Sequence, residues 1–371
     1  MVIENLELHD FRNIREASLS PCPGINILLG ENAQGKTNLM EAVWLCTGTR
    51  SFRGSRESQM IRFGAEAFRV EMAFRDRERL QNIRYSGGDR RRKILLNGAP
   101  VRQPSQLSGV FPAVVFDPTG LDIVRDGPEK RRQFLDNAIS QLKPAYAKYL
   151  SQYQAVLEQR NALLRDPERY RQFADTFDIW DLQLAKLGTA LSIYRADYLK
   201  KLQPAAAEIY GGFTGFAESF SMGYESTVYG PEEPLEIYSD QLIEQYRLAL
   251  LESRELDRKM RCTTKGVHRD DLALSINNLP VRSFGSRGQQ RSCAVALRLG
   301  EARLYRGITG ETPVILLDDV MSELDQGRQD YILNQIRGFQ VLITCCDASN
   351  TLRMESGSIF TVREGQITRE S

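Results

Sequence analysis

The chain has 371 residues, 42% hydrophobic and 26% charged, enough for two or three lobes of roughly 150 residues and too apolar for a disordered chain. No apolar run approaches the ~18 residues a membrane span needs, and the opening MVIENLELHDFRNI has no signal-peptide pattern, so a cytoplasmic protein without a membrane partner is expected. The net charge is +1, yet residues 50–93 hold 13 Lys/Arg against 6 Asp/Glu, a local basic surface that either attracts phosphate backbones or is simply solvated.

In chain order, residues 2–8 alternate through Val2, Ile3, Leu6 and Leu8, and 25–29 form a short apolar run; both are expected as strands. A glycine-containing loop follows, and then Leu39, Met40, Val43 and Trp44 recur at helical spacing over 38–46. Further strands are expected at 68–74, 82–85, 93–97 and 113–116, with a hairpin turn over Ser86, Gly87, Gly88 and Asp89. The basic run 90–93 behind it either touches phosphates or forms a charged hairpin tip. From Pro128 the texture is helical: Phe134, Leu135, Ile139 and Leu142, then Tyr146, Tyr149, Leu150 and Tyr153, with Pro144 interrupting. A turn at Asp166-Pro167 and a second helical stretch over 177–202, stopped before Pro204, predict an antiparallel helical pair too short for a long coiled coil. Residues 211–234 are expected as strands and loops, and 239–260 as a helix. Near the end, 315–317 and 341–344 read as buried parallel strands with helix 325–336 between them. The two ends of the chain thus belong to one sheet, giving an α/β lobe from 1–120 and 262–371 and a mostly helical lobe from 121–261.

Gly30-Glu31-Asn32-Ala33-Gln34-Gly35-Lys36-Thr37 matches GxxxxGK[ST] between a predicted strand and a predicted helix. Its glycines let backbone N–H groups face phosphate oxygens, Lys36 neutralises β/γ charge, and the Thr37 hydroxyl ligates Mg²⁺, which points to ATP and Mg²⁺ as cofactors. Val314-Ile315-Leu316-Leu317-Asp318-Asp319 is a hydrophobic strand ending in two acids. In that place Asp318 would hold Mg²⁺ and Asp319 would orient or deprotonate the attacking water, its short side chain implying slow hydrolysis; a solvated acidic turn is the bland alternative. Ser286-Arg287-Gly288-Gln289-Gln290 heads a helix and has the SxGQ form of an ABC signature, or else is a plain Ser/Gly capping loop. If the head-to-tail arrangement of ABC ATPases holds here, one P-loop and one signature per chain cannot serve the same nucleotide, and two chains would sandwich two ATP molecules as a homodimer. Ser322-Glu323-Leu324-Asp325 is a D-loop or a helix cap, and His268 a ligand contact or a structural histidine. Six cysteines without CxxC spacing and two histidines do not supply a zinc site.

With Leu8-His9-Asp10-Phe11-Arg12-Asn13, Thr49-Arg50-Ser51-Phe52-Arg53, the stretch 128–136 and Gly266-Val267-His268-Arg269-Asp270-Asp271, these motifs make the chain resemble, end to end, the RecF family of ABC/SMC-like P-loop ATPase heads. The resemblance implies that Arg12 and Asn13 lie near the nucleotide, that Ser286, Gly288 and Gln289 serve it from the second copy, and that Arg50 approaches a phosphate. It also implies ATP-dependent dimerisation on duplex DNA near single-strand gaps, with RecR and RecO as partners in loading RecA. The chain departs from ABC transporters in Gly285, where they usually carry Leu. It also has Cys345-Cys346-Asp347 where a switch histidine is expected, and no Q-loop glutamine near Phe116-Asp117-Pro118. A transporter-type subunit, another SMC-like head and an architectural DNA protein are the alternatives.

Overall fold

The computed structural model describes residues 1–77, 79–88, 92–118, 120–166, 168, 176–346 and 357–370. Strands Val2–Phe11 (β1), Ile14–Leu19 (β2), Ala67–Arg75 (β4), Leu80–Gly88 (β5), Arg92–Leu96 (β6) and Ala99–Val101 (β7) form an antiparallel sheet in the order β2-β1-β4-β5-β6-β7. A second sheet holds Ile25–Leu29 (β3), Ala113–Phe116 (β8), Val314–Leu317 (β12), Val341–Cys345 (β13), Gly357–Arg363 (β14) and Gln366–Arg369 (β15), in the order β15-β14-β3-β13-β12-β8. All its pairings are parallel except β14 with β15. The ends of the chain therefore do share one sheet. A small third sheet joins Phe220–Glu225 (β9), Asp271–Ile276 (β10) and Leu279–Pro280 (β11).

The helices are Lys36–Leu45 (α1), Pro128–Leu142 (α2), Pro144–Arg165 (α3), Phe177–Thr214 (α4), Asp240–Met260 (α5), Val281–Phe284 (α6), Arg287–Thr309 (α7) and Gln326–Gln335 (α8). The mixed sheet is covered on both faces, which is why its strands read as unbroken apolar runs. Leu28, Val115, Leu316 and Leu342 pack with α1 and the antiparallel sheet. The alternate residues Ile27, Val114, Ile315, Leu317 and Ile343 pack with α2, α4 and α7. Register then fixes the functional edge: Leu317 pairs with Phe116 and Ile343, and Cys345 with Leu29, so these strands end side by side. Among the described residues no helix is long and apolar enough to cross a membrane.

Pro144 opens α3, where its missing N–H costs nothing. Tyr146 at the start of α3 meets Arg195 of α4, and Arg160 near its end meets Asp181, so the two helices run antiparallel. Two expectations need correction. α4 continues through Pro204 to Thr214, because Ala206, Ile209 and Tyr210 beyond it are fully buried. Their burial, roughly 1.5–3 kcal/mol for each large side chain, offsets the ~3 kcal/mol a mid-helix proline costs. Ser86, Gly87 and Gly88 lie within β5, not in a turn: Gly87 leaves room for the Phe68 ring, which would stand 2.4 Å from a Cβ there. Asp89, Arg90, Arg91 and Pro167 lie outside the described residues. Strands β2, β7, β10, β11, β14 and β15 lie outside the expected strands, although β10 (DLALSI) and β14 (GSIFTVR) alternate apolar and polar residues.

Candidate functional site

The loop between β3 and α1 is built around backbone approach. A Cβ on Gly30 would lie 2.3 Å from the Val362 carbonyl oxygen, and Gly35 has φ 113°, a conformation that suits glycine. Ala33 is also left-handed, at φ 64°. Helix α1 begins without a side-chain cap and without an acid in its first turn, so its N–H groups and positive dipole end face the loop. Lys36 is buried, and its Nζ donates to the carbonyls of Gly30 (2.5 Å) and Glu31 (2.8 Å), with Cys346 Sγ at 3.7 Å. Asn32 Oδ1 lies 3.0 Å from the same thiol.

The other loop side chains act as braces. Asn13 Nδ2 donates to the Ala33 carbonyl (3.1 Å), and its Oδ1 accepts from Asn38 (2.7 Å). Gln34 accepts from the backbone N–H groups of Glu364 (2.6 Å, side chain) and Gly365 (3.0 Å, carbonyl), tying the loop to the turn between β14 and β15. Arg12 forms a two-pronged pair with Glu41 of α1 (2.9 and 2.8 Å) and reaches Ser55 and the Gln59 carbonyl. Its guanidinium thus flanks α1. Arg50 is exposed, and its carbonyl accepts from the Trp44 indole.

At the neighbouring strand ends, Asp318 is buried and its Oδ1 accepts from the hydroxyls of Thr37 (2.9 Å) and Thr344 (3.0 Å). Burial raises its carboxyl above the usual range, the two hydroxyl bonds oppose the rise, and the charges of Asp117 and Asp319 add to it. Because the Thr37 proton points to Asp318, the lone pairs of Thr37 remain for a cation. Hard oxygen donors suit Mg²⁺. Among the described residues no group of three or more His, Cys, Asp or Glu forms a metal cage, so an ion here would take its remaining ligands from water and phosphate, as Mg²⁺ ordinarily does. Asp319 is exposed, with φ 54°; its N–H donates to Thr344 Oγ1 (2.8 Å) and its Oδ1 accepts from Ser322 (3.0 Å).

Two residues of this edge were missed in the sequence. Asp117 ends β8 beside Asp318 and is buried. Its signal was available: an apolar strand closed by an acid, as in β12. Thr344 carried no such signal.

Ser286 caps α7, its Oγ accepting from the Gln289 N–H (3.2 Å) while its own N–H donates to Gln289 Oε1 (2.7 Å). Gln289 Nε2 donates to Glu218 (2.8 Å). Gly288 faces Arg328, whose Nη2 would be 3.5 Å from a Cβ. Among the described residues no hydrogen bond or ion pair joins Ser286, Gly288 or Gln289 to residues 30–37, Asp318 or Asp319. Asp325 caps α8 through the Arg328 N–H (3.0 Å). Cys345 is buried and Cys346 exposed, while Asp347 lies outside the described residues.

His268 sits in a hydrogen-bonded chain: the Val267 N–H donates to Tyr246 Oη (3.1 Å), the Tyr246 and Tyr153 hydroxyls share a bond (3.0 Å), the Tyr153 hydroxyl meets His268 Nδ1 (2.8 Å), and His268 Nε2 meets the Thr263 carbonyl (3.0 Å). Since a carbonyl only accepts, Nε2 carries a proton. Burial pushes the ring down to about 4, so it is neutral at pH 7, with both nitrogens engaged inside the chain.

Residues 2–368 match the family described as RecF/RecN/SMC N terminal domain. The chain is 35% identical over 382 residues to the DNA replication and repair protein RecF of Lachnospira eligens, and 36% over 376 residues to that of Heliobacterium modesticaldum, covering 100% of both partners each time. It superposes on an ATP-bound structure of RecF, a recombination mediator protein in the RecFOR pathway, with TM-score 0.91 and 33% identity, covering 100% of this chain and 98% of that one. An Smc head domain of Pyrococcus furiosus with an extended coiled coil matches at TM-score 0.56 and 15% identity, covering 100% and 96%, a likeness of fold.

Proposed function

The chain belongs to the RecF family of ABC/SMC-like ATPases, whose members are DNA replication and repair proteins, and we propose that it is an ATP-driven dimerisation switch on DNA. In this reading the backbone of residues 30–37 cradles the phosphates, Lys36 neutralises the β/γ charge, Thr37 and Asp318 hold Mg²⁺, and Asp319 orients the attacking water. Arg12 and Asn13 border the nucleotide by holding the loop and α1 in place. Ser286 and the Gly288 N–H, with Gln289 fixing the cap, bind the γ-phosphate of the ATP held by a second copy. Residues 1–120 and 262–371 act as the ATPase lobe and 121–261 as the second lobe. ATP closes the dimer on duplex DNA beside a single-strand gap, slow hydrolysis opens it, and RecO and RecR act with it to load RecA in the cytoplasm.

The observation that carries the reading is a separation. Lys36, Thr37, Asp318 and Asp319 converge on one sheet edge, while among the described residues no bond joins the exposed Ser286-capped helix end to any of them. Light scattering on a sizing column with ATP and Mg²⁺ tests it. The native chain becomes a dimer, Ser286→Arg binds ATP yet stays monomeric, and Asp319→Asn accumulates as dimer. A Ser286→Arg protein that dimerises normally overturns the sandwich.

A further inference from the structure

Asp318 and Asp319 are adjacent in sequence, but a third residue sets how they stand to each other. Thr344 lies next to last in β13, 2% exposed, between β3 and β12. Its hydroxyl has one proton and two lone pairs. The proton goes to Asp318 Oδ1 (3.0 Å), and a lone pair accepts the Asp319 N–H (2.8 Å). Neither role is exchangeable while Asp318 is ionised, because a carboxylate only accepts and an amide only donates.

The bond to Asp319 stands where regular pairing has run out. The Asp318 N–H still meets the Phe116 carbonyl (2.8 Å), continuing the β12 to β8 ladder. One residue later the backbone turns to φ 54°, a left-handed conformation that aspartate tolerates at a cost of order 1 kcal/mol. An N–H at such a turn needs an acceptor, and the Thr344 hydroxyl is the one the fold supplies. The same oxygen thus holds the carboxylate of one acid and the backbone of the next. A valine would suit a buried strand as well in shape and propensity and would do neither.

We propose that Thr344 is a positioning residue for ATP hydrolysis, fixing the left-handed backbone at Asp319 relative to the Asp318 carboxylate so that both acids meet the nucleotide in one geometry. This rests on the reading that Asp319 orients the attacking water. Thr344 itself touches no nucleotide atom in this scheme.

Single-turnover hydrolysis, fluorescent-ATP binding with and without Mg²⁺, and thermal unfolding of the full chain test it with Thr344→Val and Thr344→Ser. Val should lower the hydrolysis rate at saturating ATP about tenfold or more while Mg²⁺-free ATP affinity stays within about twofold, and the ATP-bound dimer should outlast the native one. Ser, which keeps the hydroxyl, should restore the rate to within about twofold. Should Val fail to fold, Thr344→Ala against Thr344→Ser makes the same comparison. A folded Val or Ala variant hydrolysing at the native rate, with Asp319→Asn inactive, overturns the role of Thr344 and leaves the site intact. Full turnover by Asp319→Asn overturns the Asp319 reading, and the role of Thr344 with it.

Discussion

Arg160 in the helical region and Lys36 at the sheet edge are both buried cations, 0% and 8% exposed, and the chain answers them differently. Arg160 bonds Asp181 (2.8 Å), Asp257 (2.7 Å) and Thr263 (2.8 Å), and Arg195 nearby joins Asp136 (2.8 Å), the Tyr146 hydroxyl (3.0 Å) and the Val267 carbonyl (2.6 Å). Among the described residues Lys36 has only carbonyls and a thiol, Asp318 has only side-chain hydroxyls on its carboxylate, and no ion pair joins either to an opposite charge. Removing a charge from water is tolerable when an opposite charge or several hydrogen bonds replace the solvent. In the helical region that replacement comes from inside the chain. At the sheet edge it does not, and in the proposed reading a nucleotide with its cation brings the missing charge where internal pairing stops.

Urea unfolding with and without nucleotide puts that contrast on one scale. Arg160→Met leaves the buried Asp257 without its arginine and Asp181 with Arg254 alone, and should cost about 3–5 kcal/mol, with or without ATP; a loss under about 1 kcal/mol would break the contrast. Lys36→Met should behave oppositely. Without ATP it should unfold within about 1 kcal/mol of the native chain, because no carboxylate is stranded. With ATP at about a hundred times its dissociation constant, the native chain should gain about 2.7 kcal/mol and the variant nothing.

The smallest effect concerns pH. Burial pushes the His268 ring down to about 4, against an ordinary value of 6.5. The unfolded chain therefore takes up the proton first as pH falls, so the stability that neutral His268 contributes is complete above about pH 6.5 and is lost toward pH 4. Between about pH 7 and pH 5 this amounts to about 2 kcal/mol. His268→Gln, compared with the native chain at both pH values, should remove that share of the slope; an unchanged slope would mean that the ring titrates normally.

Much of the site was readable because its chemistry is written in consecutive residues. Residues 30–37, 314–319 and 286–290 each carry their own spacing, and each falls at a strand end or helix start that local periodicity also gives. What could not be read depends on partners far apart in the chain. Arg12 goes to Glu41, and Gln34 goes to the turn at Glu364, 330 positions away. A one-dimensional pattern reports neither. Pro204 shows the same limit from the other side, since a strong local helix-breaking signal was overruled by the burial of Ala206, Ile209 and Tyr210.

The sequence alone therefore determined the glycine loop at 30–37, the two acids and the helix capped by Ser286, because residue type at fixed local spacing is enough to specify each. Tertiary structure alone decided which groups surround them. Asp117 comes beside Asp318, and Thr344 comes under Asp318 and Asp319, only because β8, β12 and β13 pair in one particular register. Register is set by the packing of alternate side chains on two opposite cores, a property of the whole sheet that no segment of the chain carries by itself.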